Sequence, residues 1–278
     1  MPNGKKISVF ALLFQGTAFV LTVGLALAAK FWHPMSASGY GKPGQVSVWG
    51  FLAAFTVMTA FVLAILRHRL GVRVFSVMFT AAVFFGVALI GLAMAGEAGA
   101  VIGFSVAVFL HYSVARVWSF DLVLSVGLAG VALSLGDSLA PTGAAVILAA
   151  ISIYDIFAVY GSRHMVGMAG RLLDGGAGFA MMVPVSPKGL LVRTDRSRAG
   201  NGLFYLGTGD IVLPAMMAVS ASRTGLFSGL VVMFGALVGQ IFNLVVFFRQ
   251  DRLRPVPALP LTATGSILAY LAVSVFVN

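Results

Sequence analysis

Nine predominantly apolar stretches, each of 18 to 24 residues, dominate this chain and restrict what it can fold into. They cover 7–29, 48–66, 74–94, 98–115, 119–136, 141–160, 202–222, 225–248 and 258–277. About 20 apolar residues in a helix cross a bilayer. The strands of a membrane barrel are about 10 residues long and alternate apolar with polar positions. These runs are twice that length and do not alternate, so the expected class is all-α and polytopic. The fourth run is the weakest, being short and closed by His111 and Arg116.

Composition agrees. Of 278 residues, 60% are hydrophobic and only 9% charged, against about 25% charged in a soluble domain. So few polar side chains cannot cover a water-facing surface, which excludes soluble enzymes and disordered chains. The net charge of +10 does not mark a nucleic-acid binder. Its basic residues lie in short tracts between apolar runs, where they orient membrane helices. There is no cysteine, hence no disulfide, thiolate metal site or Cys nucleophile. Lys5 and Lys6 precede the first run; at 23 residues it exceeds the roughly 7–15 of a signal-peptide core, so a retained helix is expected.

An odd number of spans puts the termini on opposite sides. Sorting Lys and Arg by side leaves 15 with the N-terminus and three opposite, Lys30, Lys42 and Arg223. Positive charge stays inside, so the N-terminus is expected in the cytoplasm and the C-terminus outside. The one long connection, 161–201, is cytoplasmic in this scheme. Within it Phe179–Val185 is apolar but too short to cross; it would lie on the membrane or form a strand. No repeat or second domain is visible, so residues 1–278 read as a single membrane domain.

The eight acidic residues sort cleanly. Glu97 and Asp137 fall in outer turns, and Asp174, Asp195 and Asp251 in cytoplasmic loops. Asp121 sits five residues after Arg116 and reads as its interfacial partner. Asp155 and Asp210 remain, inside apolar helices. A charge at the bilayer centre costs about 2.5–3.5 kcal/mol, so such residues face the bundle interior and act there. Counting from the cytoplasmic helix ends places them at depths of roughly 8 and 12 Å, on consecutive helices. Two carboxyls that close share a proton. The ionised one can take a proton from water while the other polarises a carbonyl oxygen, which hydrolyses a peptide bond without metal or cofactor.

Their surroundings are distinctive. Gly207 and Gly209 flank Asp210, and glycine lets another backbone approach. Gly235 and Gly239, four apart, read as helix packing. Tyr154 precedes Asp155 and could donate a hydrogen bond. The last span opens Pro255-Val256-Pro257-Ala258-Leu259-Pro260, which prevents a regular first turn. Irregular backbone in lipid is tolerated only beside a cavity or under protein, and this segment enters near the depth of the two Asp.

Tyr154-Asp155, then Gly207-x-Gly209-Asp210, then Pro257-Ala258-Leu259, each on its expected span, resemble the intramembrane aspartyl proteases of the presenilin and signal peptide peptidase family. The small size and short loops look like a prokaryotic, archaeal presenilin homologue. The resemblance implies that Asp155 and Asp210 are catalytic and that Tyr154, Gly207, Gly209, Pro257, Ala258 and Leu259 shape the site. It implies that Gly189, Leu190, Leu191 and Val192 pair with an extended substrate strand. The charge asymmetry matches the presenilin branch, and by analogy substrates have their N-terminus outside.

Other chemistries fit less well. A membrane metalloprotease needs His-Glu-x-x-His, and the single Glu has no His near it. Ser105 and His111 are six apart on one predicted helix and face different ways. His33, His68, His111 and His164 read as surface residues. The serious rival is a proton-coupled transporter using the same two Asp as a relay, although the first half shows no matching repeat. A non-catalytic scaffold would leave buried acids unused. The expected partners are a membrane-protein or peptide substrate and the lipid bilayer of the cell membrane, not nucleic acid. Oligomeric state is open, a homo-oligomer included.

Overall fold

A computed structural model describes residues 8–32, 46–68, 70–161, 179–194, 202–249 and 256–277, together with 167, 170 and 172. The elements in chain order are α1 (Val9–Trp32), α2 (Val48–Ile65), α3 (Gly71–Phe109), α4 (Val117–Ser138), α5 (Pro141–Ile156), β1 (Ala180–Pro184), β2 (Leu203–Gly207), α6 (Gly209–Ala221), α7 (Leu226–Phe248) and α8 (Leu259–Val277). Among the described residues, seven helical runs are long and apolar enough to cross a membrane. The chain is thus mostly helical and multi-pass.

One of those runs, Gly71–Val114, has 44 residues and is not straight. Ala95 (φ −142°, ψ 21°) and Gly96 (φ 67°, ψ −156°) leave helical geometry. The positive φ suits glycine, which lacks the Cβ that forbids it elsewhere. The chain folds back there. A Cβ at Gly103 would lie 3.5 Å from Val87, whereas 16 residues of straight helix span about 24 Å. Glu97, directly after the turn, is exposed.

Residues 202–222, expected as one helix, divide. Leu203–Gly207 is a strand, and the helix that follows, Gly209–Ala221, has only 13 residues. The strand needs a partner because hydrocarbon offers none, and Ala180–Pro184 supplies it. The two pair antiparallel, from Ala180 opposite Gly207 to Pro184 opposite Leu203. All five β1 residues are buried. The apolar stretch within the long connection is therefore a strand.

α4 and α6 form the centre. Of the 22 residues of α4, the interior-facing ones run from Val117 to Gly136, and α6 is buried from Leu213 through Ala221. α1, α3, α5 and α7 pack around them, and α8 lies against α5, α6 and α7. α2 buries no residue and rests on α3 and α5. Small residues set the closest approaches, as expected where lipid removes the hydrophobic drive between helices. Gly86 of α3 meets the backbone of Gly127 and Gly130 of α4, and Gly235 and Gly239 of α7 meet α8 at Gly265 and Leu261.

The two ends of the bundle differ. At one, the C-terminal ends of α1, α4 and α6 gather Lys30, Asp137 and Arg223. Lys30 Nζ lies 3.5 Å from the Asp137 carboxylate and donates to the Val219 carbonyl at 2.8 Å. Arg223 donates to the Asp137 carbonyl. At the other end lie the strands, the start of α1 and the starts of α4 and α8.

The glycine seam is testable. Gly86→Val forces a side chain into the Gly127 backbone and should cost about 1–3 kcal/mol, read as a lowered Tm in detergent. Gly24→Ala, where an added Cβ meets nothing within 4 Å, should leave Tm unchanged. Equal effects would mean that close helix approach is not what α3 and α4 depend on.

Candidate active site

Asp155 is the penultimate residue of α5, whose last turn widens into a π-turn at Phe157–Gly161. It is 7% exposed, and its Oδ2 has no hydrogen-bond partner among the described residues. Asp210 stands in the first turn of α6. It therefore lies at a helix start directly after a strand, not eight residues inside a helix. α5 and α6 pack together, and the Asp155 and Asp210 carboxyls come within electrostatic reach of each other.

The third element is the start of α8. Val256, Pro257 and Ala258 are not helical, and the helix begins at Leu259. Pro260 sits in its first turn, where a missing N–H costs nothing. The Leu259 N–H is one of the donors a helix start leaves unused, and it faces the Asp155 carboxyl within hydrogen-bonding reach. Pro257, Ala258 and Leu259 are buried. Thr262, fully buried, turns its hydroxyl back to the Leu259 carbonyl at 2.9 Å.

The two glycines play different parts. A Cβ on Gly207 would sit 2.8 Å from Asp210 Oδ2, while one on Gly209 meets nothing within 4 Å. Gly207 makes room for the carboxylate itself, and Gly209 leaves open space beside it. Tyr154 packs its ring edge-on against Phe55 of α2, with centroids 5.8 Å apart.

Gly189, Leu190 and Leu191 are not extended, whereas Val192, which follows them, is (φ −64°, ψ 138°). Pro187–Leu191 is a 3-10 turn, and the Val192 carbonyl accepts the Val117 N–H at 3.0 Å. The segment is held against the start of α4, and the strand beside Asp210 is Leu203–Gly207.

Asp121 corrects another expectation. It does not pair at the interface with Arg116. It is 2% exposed, and its Oδ1 accepts the Met182 N–H of β1 at 2.9 Å. Nothing in the sequence signalled this, because the partner is a backbone amide 61 residues away. His111 is half-buried rather than on the surface, with its ring 5.5 Å from Phe84 and 6.0 Å from Phe120. Ser105 is exposed and donates to the Val101 carbonyl of its own helix, so the two form no dyad. His68 is exposed as expected. His33, His164, Asp174, Asp195 and Asp251 lie outside the described residues.

The family model for signal-peptide peptidase and presenilin aspartyl proteases matches residues 11–278. The chain belongs to that family. It is an aspartic endopeptidase that works within the membrane. Its fold is similar to a presenilin family intramembrane aspartate protease solved in two crystal forms. The first has a TM-score of 0.66 and 22% identity, covering 95% of this chain and 99% of that one. The second has a TM-score of 0.63 and 22% identity, covering 95% and 97%. No match is found among curated proteins. None of these similarities supports the transporter reading.

Crowding at Gly207 predicts a kinetic signature. Gly207→Ala pushes on the Asp210 carboxylate and should lower kcat about tenfold or more, since general acid–base contributions run to 10²–10⁴. Gly209→Ala should keep the parental Tm and act on KM, because only an incoming backbone would meet the new methyl. A Gly207→Ala enzyme with parental kcat would contradict the role given to that contact.

Proposed function

We propose that Asp155 and Asp210 are the catalytic pair, and that they hydrolyse peptide bonds within or near the transmembrane segments of membrane proteins. One observation carries this reading. Carboxyls from α5 and α6 approach each other, and the Leu259 N–H of the α8 start faces the Asp155 carboxyl; Pro257, Ala258 and Leu259 shape the wall beside them.

In the mechanism one Asp is ionised and the other protonated. The ionised carboxylate takes a proton from water as the water oxygen bonds to the scissile carbonyl carbon. The protonated carboxyl donates to the carbonyl oxygen. The tetrahedral gem-diol then collapses: the C–N bond breaks as the Asp that took the water proton gives it to the departing amine, and one gem-diol hydroxyl returns a proton to the other Asp, which leaves a carboxylic acid and restores the singly protonated pair. No covalent enzyme intermediate is needed. Tyr154, Gly207 and Gly209 complete the surroundings, and no cofactor enters the scheme.

A helical substrate shields its carbonyls in its own hydrogen bonds, so it must unwind first. The outer edge of β2 is a suitable template, because a strand added there runs directly toward Asp210. This assigns the substrate strand to Leu203–Gly207 and leaves Gly189–Val192 a supporting part. Entry is lateral, between helices, with water reaching the pair from the cytoplasm.

The same reading makes residues 1–278 one domain with nine crossings. The two arms of α3 count separately, and the short α6 crosses with the help of β2. The N-terminus is cytoplasmic, the C-terminus is outside the cell membrane, and substrates present their N-terminus outside. Two of the three basic residues assigned to the outer side, Lys30 and Arg223, gather on Asp137 at one end of the bundle, which supports this orientation.

Two experiments follow. Cleavage of a purified membrane-spanning test peptide in detergent should fall by about 10²–10⁴ in both Asp155→Asn and Asp210→Asn. Across pH 4–9 the parent should show a bell: acid protonates both carboxyls and removes the base, while alkali ionises both and removes the acid. Activity retained in either variant would remove that Asp from the chemistry. For orientation, the chain lacks cysteine, so Lys188→Cys and Thr224→Cys can be labelled singly. Lys188→Cys should react only from the cytoplasm and Thr224→Cys only from outside; the reverse would invert the topology.

A further inference from the structure

Asp121 is a buried acid that the proposed chemistry does not use. Ionisable groups at such depth are expensive, and its Oδ2 has no partner among the described residues. Its Oδ1 has one task, accepting the Met182 N–H at 2.9 Å.

That bond decides how the sheet is wired. In an antiparallel pair, residues facing each other alternate between exchanging hydrogen bonds and turning their backbone groups outward. Met182 lies opposite Tyr205. Because its N–H points to α4, Met182 and Tyr205 form an outward-turned pair. The Val185 N–H donating to the Gly202 carbonyl at 2.9 Å falls on the complementary, bonded parity. Pro184, which has no N–H, falls on the outward parity opposite Leu203. It follows that Leu203, Tyr205 and Gly207 turn their N–H and C=O groups to the outer edge of β2. A slip of one residue would present Phe204 and Leu206 instead and move an added strand by about 3.3 Å relative to Asp210.

We propose that Asp121 is a positioning residue that sets the register in which a substrate strand meets Asp155 and Asp210. It acts through Met182 and touches no substrate. The inference rests on the protease reading above and on strand addition at β2.

The test is the distribution of cleavage positions in a membrane-spanning peptide, read by mass spectrometry beside KM and kcat. Asp121→Ala removes the acceptor. Products should spread to neighbouring positions, and KM should rise by up to about tenfold, the scale of one lost hydrogen bond. Asp121→Asn keeps an acceptor oxygen and should restore the parental pattern. Met182→Pro removes the same bond from the donor side without touching the β1–β2 ladder, so it should spread the products likewise. The double variant should be no worse than either single one. Amide exchange at Met182 should be slow in the parent and in Asp121→Asn, and fast in Asp121→Ala.

Parental products from Asp121→Ala, whatever its kcat or Tm, would reduce Asp121 to a structural role and overturn the proposal. Products from Asp121→Asn as scattered as those from Asp121→Ala would do the same. A parent that cleaves no such peptide would sink the reading that it cuts transmembrane segments, and the register role with it. Met182 exchange would then still show whether the anchoring bond forms.

Discussion

Hydrocarbon cannot hydrogen-bond a peptide group, and that constraint governs where this chain may depart from helix. Helices satisfy their own backbone, so most of the molecule needs only length and apolarity to enter the membrane. Each departure needs protein around it. The strands answer each other, and β1 is buried throughout, with Asp121 serving its far edge. At the irregular start of α8, Pro257 and Ala258 are buried. The Ser8 hydroxyl, at the head of α1, donates to the Val185 carbonyl at 2.6 Å and closes the end of the sheet.

The same constraint concentrates chemistry at helix ends. Asp155 ends α5, Asp210 begins α6, and Leu259 begins α8. Helix starts leave N–H groups free, and here one of them meets a carboxyl. A continuous seventh helix would have buried Asp210 among side chains; stopping it at Gly209 leaves a strand edge and open space instead. Close helix contact through Gly86, Gly127, Gly130, Gly235 and Gly239 provides the rigid frame. Without a hydrophobic drive between helices, this packing positions the ends relative to one another.

Much of the architecture was legible beforehand. Nine apolar stretches foretold the helical runs, because crossing length and apolarity are local properties. The turn at Gly96 fell where the third and fourth stretches had been separated. Of the residues in the three motifs, Asp155, Gly207, Asp210 and Leu259 come together in the structure. Legibility failed where a partner outside the segment decides its conformation. Leu203–Gly207 is apolar enough for a helix but is drawn into a strand by Ala180–Pro184. Gly189–Val192, expected to pair with an extended strand, begins inside the 3-10 turn Pro187–Leu191, and its Val192 carbonyl is bonded to the start of α4. Asp121 had an obvious neighbour in Arg116 and took a backbone amide instead.

By itself, the sequence determined that this chain lives in a membrane and the family to which it belongs. Those follow from composition, run length and short motifs, all carried by residues near one another in the chain. Only the tertiary structure decided that the seventh stretch begins as a strand, that the Leu259 N–H turns to Asp155, and that Asp121 binds Met182. Each of these joins groups far apart in sequence through one directional hydrogen bond or strand pair, and such a bond exists only once the helices have placed both ends.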